Sequence, residues 1–101
     1  MIKLTVLYGQ PKDPQAFDSH YRNTHIPLAA KIPDVKRFEA AKVTGTPDGS
    51  SPTYYLIAEL LFDDMDHFHK SMGSPAGQAA AQDVGNFATG GVTFLISETF
   101  E

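Results

Sequence analysis

Cysteine is absent from the 101 residues, which removes disulfides, a thiolate nucleophile and thiolate-bound zinc, and leaves the redox compartment unmarked. Also missing is any apolar run near the roughly eighteen residues a membrane span requires, so no membrane association is expected. Positive charge is scarce: 8 Lys and Arg stand against 12 Asp and Glu, for a formal charge of −4. With no basic run either, nucleic acid is not an expected partner. There is no G-x-G-x-x-G after a strand, no Walker loop and no nucleophile elbow. No cofactor is therefore expected, and a redox role would need an externally supplied partner or a substrate that meets oxygen unaided.

Internal repeats, low-complexity segments and linkers are missing too, and the length suits one globular domain over residues 1–101. A domain this small buries only about two thirds of its unfolded surface, so a large cavity points toward a partner subunit. In Met1–Tyr8 the apolar positions alternate with Lys3 and Thr5, as in a strand and not as in the core of a signal peptide. A soluble cytoplasmic protein is the expectation.

What is present reads as alternating strands and helices. Ile2–Tyr8 is the first strand, closed by Gly9-Gln10-Pro11. Asp13-Pro14 is a helix-start signal, the carboxylate accepting a free amide and proline suiting the first helical position. At 100° per residue Phe17, Tyr21, Thr24 and Leu28 form one stripe, with His25 about 40° from Tyr21. Pro27 lacks an amide for the Asn23 carbonyl and pushes Ile26 away from helical geometry, so the helix should end or kink at His25. Val35–Thr44 is a second strand with neither face wholly apolar, followed by a Gly- and Pro-rich loop to Pro52.

Thr53–Phe62 is the strongest strand, apolar on both faces: Tyr54, Leu56, Ala58, Leu60 and Phe62 on one, Tyr55, Ile57, Glu59 and Leu61 on the other. Asp63 or Asp64 caps a helix carrying Met65, Phe68, His69 and Met72, Ser74-Pro75 opens an alanine-rich helix to about Asn86, and Gly90-Gly91 releases a last strand, Val92–Phe100. The order βαββαβ is an α+β, ferredoxin-like arrangement, a four-stranded antiparallel sheet with helices on one face. The second apolar face of Thr53–Phe62 needs a cover, and a second copy packed sheet against sheet is the economical one.

The four histidines are the first candidates for chemistry, since imidazole titrates near neutral pH. On a regular helix His20 and His25 lie about 140° apart and His67 and His69 about 200° apart, so no shared metal site is expected. His25 reads either as an acid or base at a helix end or as a structural ring capping the carbonyls that Pro27 frees. His20 suits the core or its rim, His69 fills the i+4 position of an apolar face, and His67 should be solvated. Glu59, a carboxylate among Tyr55, Ile57 and Leu61, is either a cavity acid or an ion-pair partner of Arg37 or Lys42. Asp83 is either exposed or tied back to a loop. Tyr21, Tyr54 and Tyr55 could each aim a hydroxyl at a pocket, although aromatic residues at such spacing usually build core.

The patterns Phe17-x3-Tyr21-x3-His25-x-Pro27-Leu28, Tyr54–Asp63 and Asp83-Val84-x-Asn86-Phe87 resemble the EthD family, named for a protein of bacterial ethyl tert-butyl ether degradation. The resemblance implies the dimeric α/β barrel superfamily and a homodimer. It also implies an oxidoreductase-related protein, with cofactor-independent chemistry as one form, that takes a small apolar organic ligand in oxidative or catabolic metabolism. A non-catalytic accessory of an oxygenase system, or a polyketide dehydratase, cyclase or isomerase, is the alternative within the same superfamily. Residues carried over are His25 and Tyr21 as catalytic groups; Phe17, Tyr55, Glu59 and His69 are the candidate ligand contacts, with no metal and no cofactor.

Overall fold

A computed structural model of the protein describes residues 1–100. Strand β1 (Ile2–Gly9) leads through helix α1 (Pro14–His20), a π-turn (Tyr21–His25) and helix α2 (Ile26–Ala29) to β2 (Arg37–Lys42). Strand β3 (Tyr54–Phe62), helices α3 (Met65–Gly73) and α4 (Pro75–Asp83), a 3₁₀ turn (Val84–Asn86) and β4 (Val92–Glu98) complete it. The strands form one antiparallel sheet in the order β2-β3-β1-β4. This is the α+β, ferredoxin-like arrangement that the element order predicts.

Alternation in the two central strands fixes which face the helices cover. Ile2, Leu4, Val6 and Tyr8 of β1 are buried beside Leu56, Ala58, Leu60 and Phe62 of β3. The intervening residues Lys3, Thr5, Leu7, Ile57, Glu59 and Leu61 turn to the other face and are only partly covered. Tyr55 departs from this alternation. Tyr8 pairs with Leu56 and Gly9 with Tyr54, so Tyr55 is the extra residue of a β-bulge, which redirects a side chain. Its ring meets Phe17 of α1 at 5.1 Å and its hydroxyl donates to Asp18 Oδ1 at 2.8 Å.

Caps set the helix ends where the sequence places them. Asp13 accepts from the amides of Gln15 and Ala16, and Asp64 from that of His67. Ser74 joins α3 to α4: its Oγ accepts the Gly77 amide and donates to the Ser71 carbonyl. Gly77 lets the two helices close, because a Cβ there would collide with that same carbonyl. Among the described residues no helix is long and apolar enough to cross a membrane.

Candidate active site

Of the end or kink that Pro27 predicts at His25, the structure has the distortion and not the end: the helix that begins at Pro14 widens there and continues. Ile26 keeps helical angles (φ −57°, ψ −45°) and its amide donates to the Tyr21 carbonyl, five residues back. A proline ring crowds the carbonyl four residues earlier in an α-helix; the wider turn relieves that crowding, so the chain dilates at Tyr21–His25 and continues. With bonds that run i to i+5 the turn is wider than in an α-helix and each residue advances by less than 100°, so five residues fall nearer to a whole turn. His20 and His25 therefore come to one side of the helix, where the regular spacing predicts about 140° between them.

Both imidazoles reach Asp83 at the end of α4. His20 Nε2 lies 2.9 and 3.0 Å from the two carboxylate oxygens, and His25 Nδ1 lies 3.0 Å from Oδ2. The Asn86 amide donates to Oδ1 at 3.0 Å. Asp83 is buried, and burial alone would push its pKa up. The bonds from Asn86, His20 and His25 outweigh that cost and leave it below the usual carboxylate value.

An ionised Asp83 accepts only, so His25 carries its proton on Nδ1 and leaves Nε2 unprotonated. Burial pulls the His25 pKa below its ordinary value, against the upward pull of Asp83. His25 is thus a neutral base in a fixed tautomer. Phe87 packs against both rings, 5.2 Å from His20 and 4.8 Å from His25.

His25 lines a cavity of about 290 Å³ between sheet and helices. Leu4, Val6, Tyr8, Ala58 and Leu60 form its floor, and Tyr21, Ala29, Phe68, Met72, Ala80 and Val84 its roof. At the β4 side Phe94 and Ile96 line it while remaining 51% and 53% exposed, so the cavity opens there. The walls are almost wholly apolar. Tyr21 packs at 5.3 Å from His25 and is buried, and its hydroxyl has no hydrogen-bond partner among the described residues. Burial pushes its pKa up to about 12, so the phenol keeps its proton at neutral pH. Tyr8 meets Tyr21 edge-on at 5.8 Å, and its pKa is also raised, chiefly by burial.

Of the six residues named as catalytic groups or ligand contacts, His25 and Tyr21 lie together on the cavity wall, and the other four do not line it. Phe17 sits behind Tyr21, stacked on it at 5.8 Å and in contact with Tyr8, Phe87 and Tyr55. Tyr55 is held by the bulge beside Phe17 and Asp18, with Lys42 Nζ 5.2 Å from its ring centre. Glu59 lies on the opposite sheet face, 3.5 Å from Lys3 Nζ; the ion-pair alternative holds, with Lys3 in place of Arg37 or Lys42. His69 is exposed, since α3 turns Phe68 and Ser71 inward. His67, expected to be solvated, is partly covered and bonds through Nδ1 to Asp64 at 2.7 Å. The sequence reading missed Tyr8, taken only as the end of a strand, and the joining of His20 to Asp83. The available signal was Asp83 itself, an acid on the same helical stripe as Ala76, Ala79, Ala80 and Val84. Among the described residues no group of three or more His, Asp or Glu is arranged to hold a metal ion.

The EthD domain matches residues 9–91 of this chain. The protein belongs to the EthD family. An uncharacterized 11.0 kDa protein of the thcB-thcC intergenic region of Rhodococcus erythropolis is 46% identical over 98 residues, covering 97% of this chain and 94% of that one. The crystal structure of an EthD family protein from Bacillus halodurans superposes with a TM-score of 0.92 at 40% identity, covering 99% of each chain. A cofactor-independent oxygenase, SnoaB from Streptomyces nogalater, shares the fold at a TM-score of 0.70 and 14% identity, over 99% of this chain and 93% of that one. A dimeric ferredoxin-like protein from Thermobifida fusca does so at 0.73 and 16%, over 97% and 90%.

Proposed function

We propose that this EthD family protein is a homodimer that binds a small, largely apolar organic molecule between sheet and helices and acts on it through His25. The observation that carries the reading is the bond from His25 Nδ1 to Asp83 Oδ2, 3.0 Å long, at the wall of an apolar cavity. That bond holds the ring in one orientation and one tautomer, which is what a general base needs. Apolar surroundings keep the base neutral and exclude water from the proton it takes. Protonated, His25 is stabilised by Asp83 and can return the proton as an acid. Tyr21, packed at 5.3 Å from the His25 ring, shapes the cavity wall beside that base. An oxidative or catabolic role is supported by the EthD relationship and by the same fold in a cofactor-independent oxygenase.

The second copy covers the sheet face that the helices leave open. Leu7, Ile57, Leu61 and Leu95 lie on that face around the Lys3–Glu59 pair, and Leu95 is 51% exposed. An apolar surface of this kind is costly to leave in water. Sedimentation at micromolar concentration should give twice the chain mass, and a stable monomer would refute the dimer.

The catalytic part is tested with ligands that co-purify, identified by native mass spectrometry, and with His25→Ala. Turnover of such a ligand should disappear in the variant while the ligand still binds. Unchanged turnover removes His25 from the mechanism, and binding without turnover in the parent protein identifies an accessory role.

A further inference from the structure

We propose that His20 is a positioning residue of this site: it sets the plane of the Asp83 carboxylate and, through it, the ring of His25. The proposal rests on the reading of His25 as the base, and adds the group that holds the partner of that base in place.

Distances separate the three groups that bond to Asp83. His20 Nε2 lies 2.9 Å from Oδ1 and 3.0 Å from Oδ2, so it sits in the mouth of the carboxylate and spans both oxygens. The Asn86 amide reaches Oδ1 alone at 3.0 Å, and His25 Nδ1 reaches Oδ2 alone at 3.0 Å. A carboxylate offers about two lone pairs on each oxygen. His20 draws on the inner one of each, which leaves an outer one on Oδ1 for Asn86 and an outer one on Oδ2 for His25. Turning the carboxylate about its Cβ–Cγ bond would break both contacts with His20 and carry Oδ2 away from His25.

The origin of each donor separates them again. Asn86 follows Asp83 by three residues and moves with it. His20 stands 63 residues away at the end of α1, on the helical run that widens into the π-turn and carries His25. It therefore ties the end of α4 to the segment whose base Asp83 serves.

His20 is held in turn by Phe87, which is buried and stacks on its ring with centres 5.2 Å apart and planes at 26°. It does not line the cavity. Its place is the far side of Asp83, partly exposed, in a surface hollow with Lys12, Asp13 and Thr89. A molecule in the cavity does not meet His20, so whatever His20 does for the base passes through the carboxylate.

Proton positions test this. An ionised Asp83 only accepts, so each neutral ring must carry its proton on the nitrogen that faces it, Nε2 in His20 and Nδ1 in His25. Long-range 1H–15N spectra of the parent protein at about pH 8, above the ordinary histidine range, should show that pair of tautomers. His20→Phe keeps a ring against Phe87 and removes the donor. In it the ratio of Nδ1–H to Nε2–H in His25 should fall about tenfold or more, as expected from the loss of one hydrogen bond to a charged acceptor. His20→Gln, which retains an N–H for the carboxylate, should restore most of the ratio. Asn86→Ala removes a donor from Oδ1 but leaves His20 across both oxygens, and should keep the parent ratio.

An unchanged His25 tautomer in His20→Phe, or an equal change in Asn86→Ala, would overturn the role of His20 and leave His25 standing as the base. His20 protonated on Nδ1 in the parent would overturn it without any variant. His25 protonated on Nε2 in the parent would overturn both readings.

Discussion

Replacing Asp83 by Asn tests the site at the point on which both imidazoles depend. The variant keeps size and shape but presents one oxygen and one NH2 where the parent presents two acceptors. In the parent, Oδ1 accepts from Asn86 at 3.0 Å and Oδ2 from His25 at 3.0 Å, with His20 within 3.0 Å of both. If the Asn oxygen keeps Asn86 and His20, its NH2 faces the Nδ1–H of His25. Two donors cannot pair, so His25 must move its proton to Nε2 and accept at Nδ1.

Hydrogen bonds to a charged group contribute about 1.5–3 kcal/mol against about 0.5–1.5 kcal/mol for neutral ones. Such exchanges at His20, His25 and Asn86, offset by the relief of no longer burying a carboxylate, predict a net loss of about 1–3 kcal/mol. For a domain of this size that lowers Tm by roughly 4–24 °C. Denaturant unfolding measures the loss, and long-range 1H–15N spectra report which ring nitrogen carries the proton. The same His25 tautomer in both proteins, or a stability change of less than about 0.5 kcal/mol, would show that Asp83 does not fix the ring.

Tyr21→Phe removes a buried hydroxyl without a partner, so ligand-free protein should be as stable as the parent or up to about 1 kcal/mol more so; a Tm lowered by several degrees would show that the hydroxyl is satisfied. Gly77→Ala, a change that ordinarily favours a helix, should destabilise by about 1–3 kcal/mol because its Cβ meets the Ser71 carbonyl; urea unfolding checks it, and a more stable variant would contradict the close contact of α3 and α4. Stability should also fall as pH drops below about 6.5. There the unfolded chain protonates His25 while the folded chain, with its pKa lowered by burial, does not, so the contribution is present above that pH and lost below it. Unfolding midpoints between pH 8 and 5 measure this, and in His25→Ala the dependence should be shallower. At the alkaline end Tyr21 acts in the opposite sense: its raised pKa gives stability that is present below about pH 10 and lost as pH rises toward about 12.

The sheet and the helix starts were legible because each follows from local chemistry. Ile2, Leu4, Val6 and Tyr8 alternate with Lys3, Thr5 and Leu7 and are the buried set, and Asp13, Asp64 and Ser74 cap helices as their side chains dictate. Tyr55 was misplaced because an extra residue in a strand leaves no mark in the alternation; the bulge depends on how Gly9 meets Tyr54 across the sheet. His69 was misplaced because a two-turn helix offers few apolar positions, and the stripe through Phe68 and Met72 turns it away from the sheet. The partner of Glu59 was drawn from the wrong neighbour, since the sheet order places both β1 and β2 beside β3 and the Lys3 amine reaches Glu59 diagonally from Thr5, its direct opposite.

The site itself was half legible, and the missing half has one cause. Sequence spacing converts to direction only through an assumed number of residues per turn, and 100° per residue separates His20 from His25 by about 140°. Pro27 predicts an end or a kink because it cannot donate to the Asn23 carbonyl and collides with it in a regular helix. The chain widens, with Ile26 donating to Tyr21 and Pro27 lying in the first turn of α2, where its missing amide costs little. The regular spacing that argues against two cooperating histidines thus fails at the turn next to Pro27. Once the turn spans five residues, His20, His25 and the end of α4 converge on Asp83, and a carboxylate that looked indifferent on an alanine-rich helix becomes the group that fixes a base. The π-turn is therefore the step that brings the two rings together, since without it one imidazole or the other would face away from Asp83, which bonds to both.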